Sequence, residues 1–297
     1  MKRTVIILVS VILMTGLSSS SRIGPYDSDF VQVSTAKHNG YEYKVIYMER
    51  GRSGKRIKAK YFAAKDPYSN KTVPQRYNEW EYGKGVICVS SGTYMDSYTN
   101  PNPKPVGITV DNGIVVNRNL QPDMDGLVIV YATGGIVATN LEDKDLTVQG
   151  GSISGIPLDI RGNSFHLSSF LKWCEEQEAT VFQTHMLIYK NELKISSYNS
   201  SKTPRERRFL AVGYDDDGNL AHCIIHSPDY TSLYEGTKRV HDFLNEIKEL
   251  DVTFMVNLDT GAQDVFKLFN ADGNEDNTIK GQKSLEEAVN LLVYYYE

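Results

Sequence analysis

Cysteine is scarce in this sequence, which has three cysteines in 297 residues. Cys88, Cys174 and Cys223 do not occur in the paired spacing of zinc sites, and an odd number does not suit a disulfide framework. A cysteine-based metal site and a disulfide-rich scaffold are therefore excluded as organising features. Each cysteine lies in an apolar pattern, so we expect buried thiols, with room for at most one disulfide.

The sequence also lacks an excess of positive charge. It has 32 lysines and arginines against 37 aspartates and glutamates, which gives a formal net charge of −5. A mildly acidic surface argues against sequence-independent binding to nucleic acid or to anionic lipid. We therefore expect no nucleic-acid partner, and an anionic substrate would need a local basic cluster.

Long hydrophobic runs are absent except near the N-terminus. Lys2 and Arg3 precede an apolar run over residues 4–17, which ends in the small residues 18–21. This order is typical of a secretion signal, and the run is shorter than the roughly 18 residues of a membrane span. We predict a signal peptide at residues 1–20, an N-terminal extension at 21–40 and one domain at 41–297, in a protein that is secreted or periplasmic and has no stable membrane span. A retained N-terminal anchor is the alternative.

The most frequent pattern in the sequence is a glycine-containing turn between two apolar runs. "PVGITVDNGIVVN", residues 105–117, predicts a hairpin, because Asn112 and Gly113 accept the positive φ angles of tight turns. "LVIVYATGGIVATN" and "RRFLAVGYDDDGNLAHCIIH" repeat the pattern. Two segments have helical period instead, one capped at Ser164 and one with Ser232 and Glu235 in capping-box spacing. The predicted fold class is α+β, with mixed, largely antiparallel sheets built from hairpins and a few packed helices.

Three motifs suggest chemistry that the rest of the chain does not support. Asp259 begins the Asp-Thr-Gly-Ala of aspartic proteases, but that chemistry needs two such loops, and too little chain follows for a retroviral-type subunit. "NADGNEDN", residues 270–277, lacks a frame with both the glycine and the glutamate of an EF-hand, so we expect Asx turns. His222 and His226 share a strand face without the acidic residue of a zinc protease. We expect no cofactor and no metal site, although the sequence leaves a divalent cation open.

Polar residues follow several apolar runs. They are "SSGTY" (Ser90, Ser91, Gly92, Thr93 and Tyr94), "QTH" (Gln183, Thr184 and His185), Arg205, Arg207 and Arg208 before "FLAVG", and Asp259. In this order, and together with "PVGITVDNG" and "VNLDTGAQD", they resemble the phosphodiester glycosidase domain family, which includes many bacterial exported proteins tied to exopolysaccharide. The closing "AVNLLVYYY" resembles the last strand of that family, where Ser284 and Glu287 alone would suggest a helix start.

The resemblance implies a hydrolase that cleaves a sugar from a phosphodiester, with a carbohydrate or phosphoglycan as its partner. A carboxylate stabilises or traps the oxocarbenium ion in such a reaction, and a guanidinium holds phosphate by two hydrogen bonds. Because Arg207 and Arg208 alternate faces on a strand, we expect one to face the site and the other to meet solvent. The implied catalytic residues are Asp259, Arg208 and His185, and the implied substrate-binding residues are Gln183, Ser90, Ser91, Gly92, Thr93, Tyr94, Gly107, Thr260 and Gly261.

A second hypothesis is a non-catalytic carbohydrate-binding or envelope and exopolysaccharide assembly protein with the same fold. Ser90 and Ser91 stand where the family has Asn-Ala, and His185 stands where Gly-Pro is usual. Thr260 replaces the glycine that follows the aspartate. These substitutions motivate the alternative.

Overall fold

The computed structural model of this protein describes residues 30–50, 57–63, 65, 70–97, 99–100, 102–198, 201–247, 249–270 and 272–296. The predicted signal peptide lies outside these residues. The described helices are α1 (Val73–Glu81), α2 (Ser164–Glu176) and α3 (Leu233–Ile247). The described strands are β1 (Val31–His38), β2 (Tyr41–Arg50), β3 (Ile57–Phe62), β4 (Gly85–Ser90), β5 (Thr109–Asp111), β6 (Ile114–Asn117), β7 (Gly126–Val130), β8 (Ile136–Asn140), β9 (Thr180–Thr184), β10 (Met186–Tyr189), β11 (Glu192–Leu193), β12 (Arg205–Tyr214), β13 (Leu220–Thr231), β14 (Asp251–Leu258), β15 (Phe266–Phe269), β16 (Glu275–Asp276) and β17 (Leu291–Tyr296).

The described strands form three sheets. The large sheet has seven strands in the order β1-β2-β13-β12-β14-β10-β11. The β4 sheet has the order β16-β15-β4-β17-β3, and the β7 sheet has the order β6-β5-β9-β7-β8. Every pair of neighbouring strands in the three sheets is antiparallel. The predicted α+β class, with largely antiparallel sheets and a few helices, is confirmed.

The three predicted hairpins are confirmed. β5 and β6 pair across a turn in which Asn112 has a φ of 50° and Gly113 a φ of 80°. β7 pairs with β8 across a turn that contains Gly134 at a φ of 79°. β12 pairs with β13 across a turn that contains Gly218 at a φ of 75°. These positive φ angles are the backbone states that glycine and asparagine adopt most readily, so the turn residues fix these pairings locally.

Two predicted helices are confirmed, with one correction at a cap. The N-cap of α2 is Asn163 and not Ser164, because the Asn163 side chain accepts hydrogen bonds from the N–H groups of Phe165 and His166. At the start of α3, the Glu235 N–H donates to Ser232 Oγ at 3.2 Å, as the capping-box spacing predicts. Sequence reasoning missed α1, which is short and buries only Val73, Pro74 and Tyr77.

The C-terminal segment contains both the capping box and the strand that its sequence suggests. The side chain of Glu287 accepts from the Ser284 N–H at 3.1 Å in a capping box, but this caps only a single 3-10 turn at Leu285–Glu287. The chain then enters β17, which lies in the β4 sheet between β3 and β4. The predicted last strand is confirmed.

The segment predicted as an N-terminal extension contains β1. This strand pairs with β2 along its whole length, from Val31 opposite Met48 to His38 opposite Tyr41. The predicted domain start at residue 41 therefore falls inside a hairpin of the large sheet. The Asx turn expected near residue 270 is present, since Asn270 Oδ1 accepts from the Asp272 and Asn274 N–H groups.

Apolar side chains from all three sheets meet in one buried cluster, and each sheet buries its other face under one helix. The large sheet packs against α3, the β7 sheet against α2, and the β4 sheet against α1. Cys88, Cys174 and Cys223 are buried in these layers, and none of the three forms a disulfide. Among the helices of the described ranges, none has the length and apolar character needed to cross a membrane.

Candidate functional site

Three of the predicted site segments meet where the sheets join. β14 of the large sheet ends one residue before Asp259, and β4 ends at Ser90. The chain passes from β9 in the β7 sheet to β10 in the large sheet at His185. The Asp259 N–H donates to the Gly92 carbonyl at 3.1 Å, which ties the first two segments together. Segments that are remote in sequence therefore form one neighbourhood.

Asp259 is a buried carboxyl group with one free oxygen. Its side chain is 2% exposed, and Oδ1 accepts a hydrogen bond from the Gly261 N–H at 2.7 Å. Oδ2 has no partner of hydrogen-bond geometry among the described residues. Burial raises the pKa of this carboxyl to about 6, and the N–H groups of Gly261 and Gln263 oppose the shift. Asp259 is therefore a carboxylate above pH 6, with one buried oxygen that has no hydrogen-bond partner among the described residues.

Arg208 acts electrostatically on Asp259 and forms a buried ion pair with Asp264. Its Nη2 donates to Asp264 Oδ1 at 2.8 Å, and both side chains are fully buried. The guanidinium also lies 4.6 Å from the centre of the Phe266 ring. Burial lowers the pKa of Arg208, and the charges of Asp264, Glu206 and Asp259 oppose that shift. Nε and Nη1 have no partner among the described residues, so two donors remain unused inside the protein.

Neither Arg207 nor Arg208 meets solvent, so the expectation that one of them would is wrong. The two side chains do alternate: Arg208 follows the face of Leu210, toward the core between the sheets, and Arg207 follows the face of Phe209, toward α3. The segments around Thr203 and Thr231 cover Arg207, whose guanidinium donates to their carbonyl groups at 2.9 and 3.2 Å. Arg207 is 5% exposed for this reason.

Arg205 is the member of the arginine group that solvent reaches. It is exposed at the start of β12. Its Nη1 lies 2.9 Å from the position that a Cβ would occupy at Gly261, and the same position lies 3.2 Å from Asp259 Oδ1. A glycine at position 261 therefore lets an exposed guanidinium approach the loop that holds the Asp259 carboxyl.

Tyr94, His185 and Asn257 form a polar and aromatic wall near Asp259. Asn257 Nδ2 donates to Tyr94 Oη at 2.6 Å, while Asn257 Oδ1 is buried without a partner among the described residues. The rings of Tyr94 and His185 meet edge to face with centroids 5.7 Å apart. Burial lowers the pKa of His185, so its imidazole is neutral at neutral pH, although Asp123 opposes the shift. Burial and the nearby Asp259 raise the pKa of Tyr94, which keeps its proton.

Gln183 has no free hydrogen-bonding group. Its Oε1 accepts from the N–H groups of Ile108 and Gln121 at 3.1 and 3.0 Å. Its Nε2 donates to the carbonyl groups of Gln121 and Met124 at 2.8 and 2.6 Å. A Cβ at Gly107, where φ is +76°, would lie 2.6 Å from Gln183 Oε1. Gln183 and Gly107 thus hold two loops together, and the amide has no capacity left for a sugar.

The turn at residues 90–93 is buried and bonded internally. Ser91 Oγ accepts from the Val265 N–H at 3.0 Å, and Ser90 Oγ donates to the Ser91 carbonyl at 2.9 Å. The N–H groups of Gly92 and Thr93 both donate to Asn290 Oδ1, at 2.9 and 3.0 Å. These four residues therefore build the frame on which Tyr94 is presented.

The two residues after Asp259 lie nearer the surface. Thr260 and Gly261 are partly exposed. Thr260 Oγ1 donates to the Glu206 carbonyl at 2.9 Å, which anchors the loop to β12 beside Arg205. The loop therefore borders both the buried carboxyl and solvent.

Sequence reasoning did not select several residues that build this neighbourhood. Asn257 had a usable signal, because a residue two positions before Asp259 shares its strand face. Asp264 had a weaker signal, since a buried arginine needs an acidic partner but the sequence does not say which. Asn290 had none, because it contacts Thr93 across 197 residues.

Metal-binding residues do not cluster in the described part of the chain. No group of three or more histidine, cysteine, aspartate or glutamate side chains there is placed to hold a metal ion. His222 Nδ1 is instead hydrogen-bonded to the Tyr294 hydroxyl at 2.8 Å, and burial lowers the pKa of His226 to about 3. These two imidazoles are neutral side chains of the buried core.

Comparison with known proteins finds solved structures that match the chain at low sequence identity. No family description and no curated protein sequence matches the chain. The catalytic domain of zebrafish N-acetylglucosamine-1-phosphodiester alpha-N-acetylglucosaminidase, auto-inhibited by its pro-peptide, is 13% identical with a TM-score of 0.48, and the match covers 90% of this chain and 82% of that one. A Burkholderia pseudomallei protein named "Putative exported protein" is 11% identical with a TM-score of 0.41, over 89% of this chain and 74% of that one. No argument about this chain's activity follows from these values.

Proposed function

We propose that this protein is an exported hydrolase of the glycosidase type, which cleaves a sugar-1-phosphodiester or a related phosphoglycan at the site around Asp259. The sequence supports this through its ordered motifs, which resemble the phosphodiester glycosidase domain family. The observation that carries the proposal is the Asp259 carboxyl, buried at the sheet junction with Oδ2 unpartnered. Buried polar groups are normally hydrogen-bonded, so a free carboxylate oxygen supports a ligand-facing role.

In the proposed reaction the anomeric C–O bond breaks, and its electron pair leaves on the phosphate ester oxygen. The Asp259 carboxylate stabilises the oxocarbenium ion or forms a glycosyl ester with it, and water then completes the hydrolysis. A phosphate ester is a much weaker base than a sugar alkoxide, so the leaving group needs little proton donation. A site in which the Asp259 carboxylate faces the sugar, without a dedicated proton donor to the leaving group, therefore suits this substrate.

Two guanidinium groups are assigned to the phosphate in this proposal. Arg205 is exposed and reaches the Asp259 loop, so it makes the first contact with an anionic substrate. Arg208 contributes positive charge from inside the protein, where Nε and Nη1 are free donors. The neighbouring ion pair with Asp264 fixes the orientation of the Arg208 side chain.

The sugar is assigned to the wall formed by Tyr94, His185 and Asn257. Two aromatic rings offer apolar surface, and Asn257 Oδ1 is a free acceptor for a sugar hydroxyl. Thr260 and Gly261 border the approach from solvent. In this proposal Gln183, Gly107 and the turn at residues 90–93 position the site and do not touch the substrate.

The second candidate is a carbohydrate-binding protein that does not catalyse. One observation favours it: Asp259 is 2% exposed and Arg208 is fully buried, whereas catalytic groups must contact the substrate. The hydrolase proposal therefore requires the loop at residues 260–263 to give access to the carboxylate.

An assay of sugar release separates the two candidates. The wild type is incubated with UDP-N-acetylglucosamine and with the methyl phosphodiester of N-acetylglucosamine 1-phosphate, between pH 4 and pH 9. We expect release by the wild type and a loss of about 1,000-fold or more in Asp259→Asn, the scale on which loss of an essential catalytic group falls. Asp216→Asn, in the exposed turn between β12 and β13, is the matched control and keeps full activity. Binding without release at any pH would favour the second candidate.

A further inference from the structure

A second cavity lies away from Asp259. Its volume is about 550 Å³, within the range of roughly 300–1,000 Å³ that small-molecule sites occupy. It lies between the β7–β8 hairpin, the segment at residues 145–155 and the turn that follows β10. None of the residues that line it belongs to the site around Asp259.

The cavity presents aromatic rings together with unused polar side chains. Tyr131 and Tyr189 line it and are half-buried, and neither hydroxyl is hydrogen-bonded to another described residue. Thr147 and Gln149 also line it and are exposed, and neither side chain is hydrogen-bonded to another described residue. A ligand with apolar faces and several hydroxyl groups uses both kinds of surface.

The charge of the cavity is balanced. Asp145 supplies a carboxylate and Lys190 an ammonium group, which lies 5.0 Å from the centre of the Tyr189 ring. These are the charged side chains of the cavity lining, and they do not form an ion pair with each other. One charge of each sign favours a neutral ligand over a phosphate or a carboxylate.

We propose that this cavity is a second saccharide-binding site, which takes a neutral mono- or disaccharide unit. A pyranose ring presents C–H faces to aromatic rings and hydroxyl groups to amide, hydroxyl and charged side chains, which is the set found here. The proposal does not depend on catalysis at Asp259. β10 begins after His185 and ends at Tyr189, so the two sites are separated by about 13 Å of strand. One glycan chain is therefore able to span both.

Titration calorimetry with neutral saccharides tests this site. The probes are N-acetylglucosamine, glucose, cellobiose and maltose, with glucose 1-phosphate as the anionic comparison. We expect one or more neutral saccharides to bind, and the affinity to fall about tenfold in Gln149→Ala and in Thr147→Val, as for loss of one or two hydrogen bonds. Both positions are exposed, so both variants should fold. Gln32→Ala, on the exposed edge of β1, is the matched control and should bind as the wild type does.

Three results would overturn the proposal. They are the absence of binding by every neutral probe, an unchanged affinity in both cavity variants, and a larger fall in the affinity for glucose 1-phosphate than for any neutral probe in both cavity variants. Failure of the sugar-release assay leaves the saccharide titration unaffected, so the two proposals fail separately.

Discussion

The Gln183 amide and the Asp259 carboxyl are both buried at the sheet junction, at 0% and 2% exposure, yet their hydrogen bonding is opposite. Gln183 uses all four of its hydrogen-bonding positions on backbone groups. Asp259 leaves Oδ2 unpartnered, and Arg208 and Asn257 beside it also have unpartnered polar atoms. An unmade buried hydrogen bond costs about 1–3 kcal/mol, so selection for stability alone would remove such groups.

The difference separates a structural region from a ligand-binding region. Side chains whose hydrogen-bonding positions are all used, such as Gln183, fix the backbone, and their loss should reduce stability. Unsaturated groups such as Asp259 lower the stability of the free protein and gain partners when a ligand binds. This distinction assigns different outcomes to substitutions that lie in neighbouring segments.

The largest stability effect is expected at Gln183. Gln183→Met keeps the approximate shape of the side chain but removes four hydrogen bonds and leaves backbone N–H and carbonyl groups buried without partners. We expect a loss of about 4 kcal/mol, or roughly 10 °C in Tm, by thermal unfolding. Gln32→Met, on the exposed face of β1, is the matched control. A loss of less than about 1 kcal/mol of unfolding free energy in Gln183→Met would contradict the structural role assigned to this side chain.

The second effect has the opposite sign and depends on pH. The pKa of Asp259 is raised from 3.8 to about 6, so the folded state binds its proton more tightly than the unfolded state. The loss of folding stability caused by ionising this buried carboxyl is therefore absent below about pH 4, grows between pH 4 and pH 6, and levels off at about 3 kcal/mol above pH 6. Asp259→Asn should stabilise the protein at pH 8, and its advantage over the wild type should shrink by about 1.4 kcal/mol at pH 5. An advantage that does not change with pH would show that the carboxyl is not perturbed.

The smallest effect is expected at Arg205. Arg205→Gln removes an exposed guanidinium, so stability should change little, while the affinity for N-acetylglucosamine 1-phosphate should fall about tenfold. Neutral saccharides should bind as before. Arg118→Gln, an exposed arginine after β6, is the matched control for net charge. An equal loss in both variants would show general electrostatic attraction and no specific contact.

Local signals in the sequence were enough for much of the fold. Asn112-Gly113 and the other turn glycines identified the hairpins, because a positive φ angle is a property of single residues. α1 was missed because three buried residues in nine give little helical period.

The site was less predictable because its contacts join distant segments. Asp259 was identified by its motif, but its burial depends on Gly92 and on the sheets around it. The pairing of Arg208 with Asp264 spans 56 residues, and it is this pairing that removes Arg208 from the surface. Gln183 uses all of its hydrogen-bonding positions and Asp259 does not. This difference arises from the folded environment, so it cannot be predicted from residue type.

The pKa of Asp259 itself tests the central claim most directly. With aspartate labelled at the carboxyl carbon, the NMR resonance that is missing from Asp259→Asn identifies this group. We predict that it titrates near pH 6 in the free protein and that its pKa moves when N-acetylglucosamine 1-phosphate is added. Titration near its ordinary value of 3.8, with no response to the sugar phosphate, would contradict the assignment of Asp259 as a ligand-facing carboxylate.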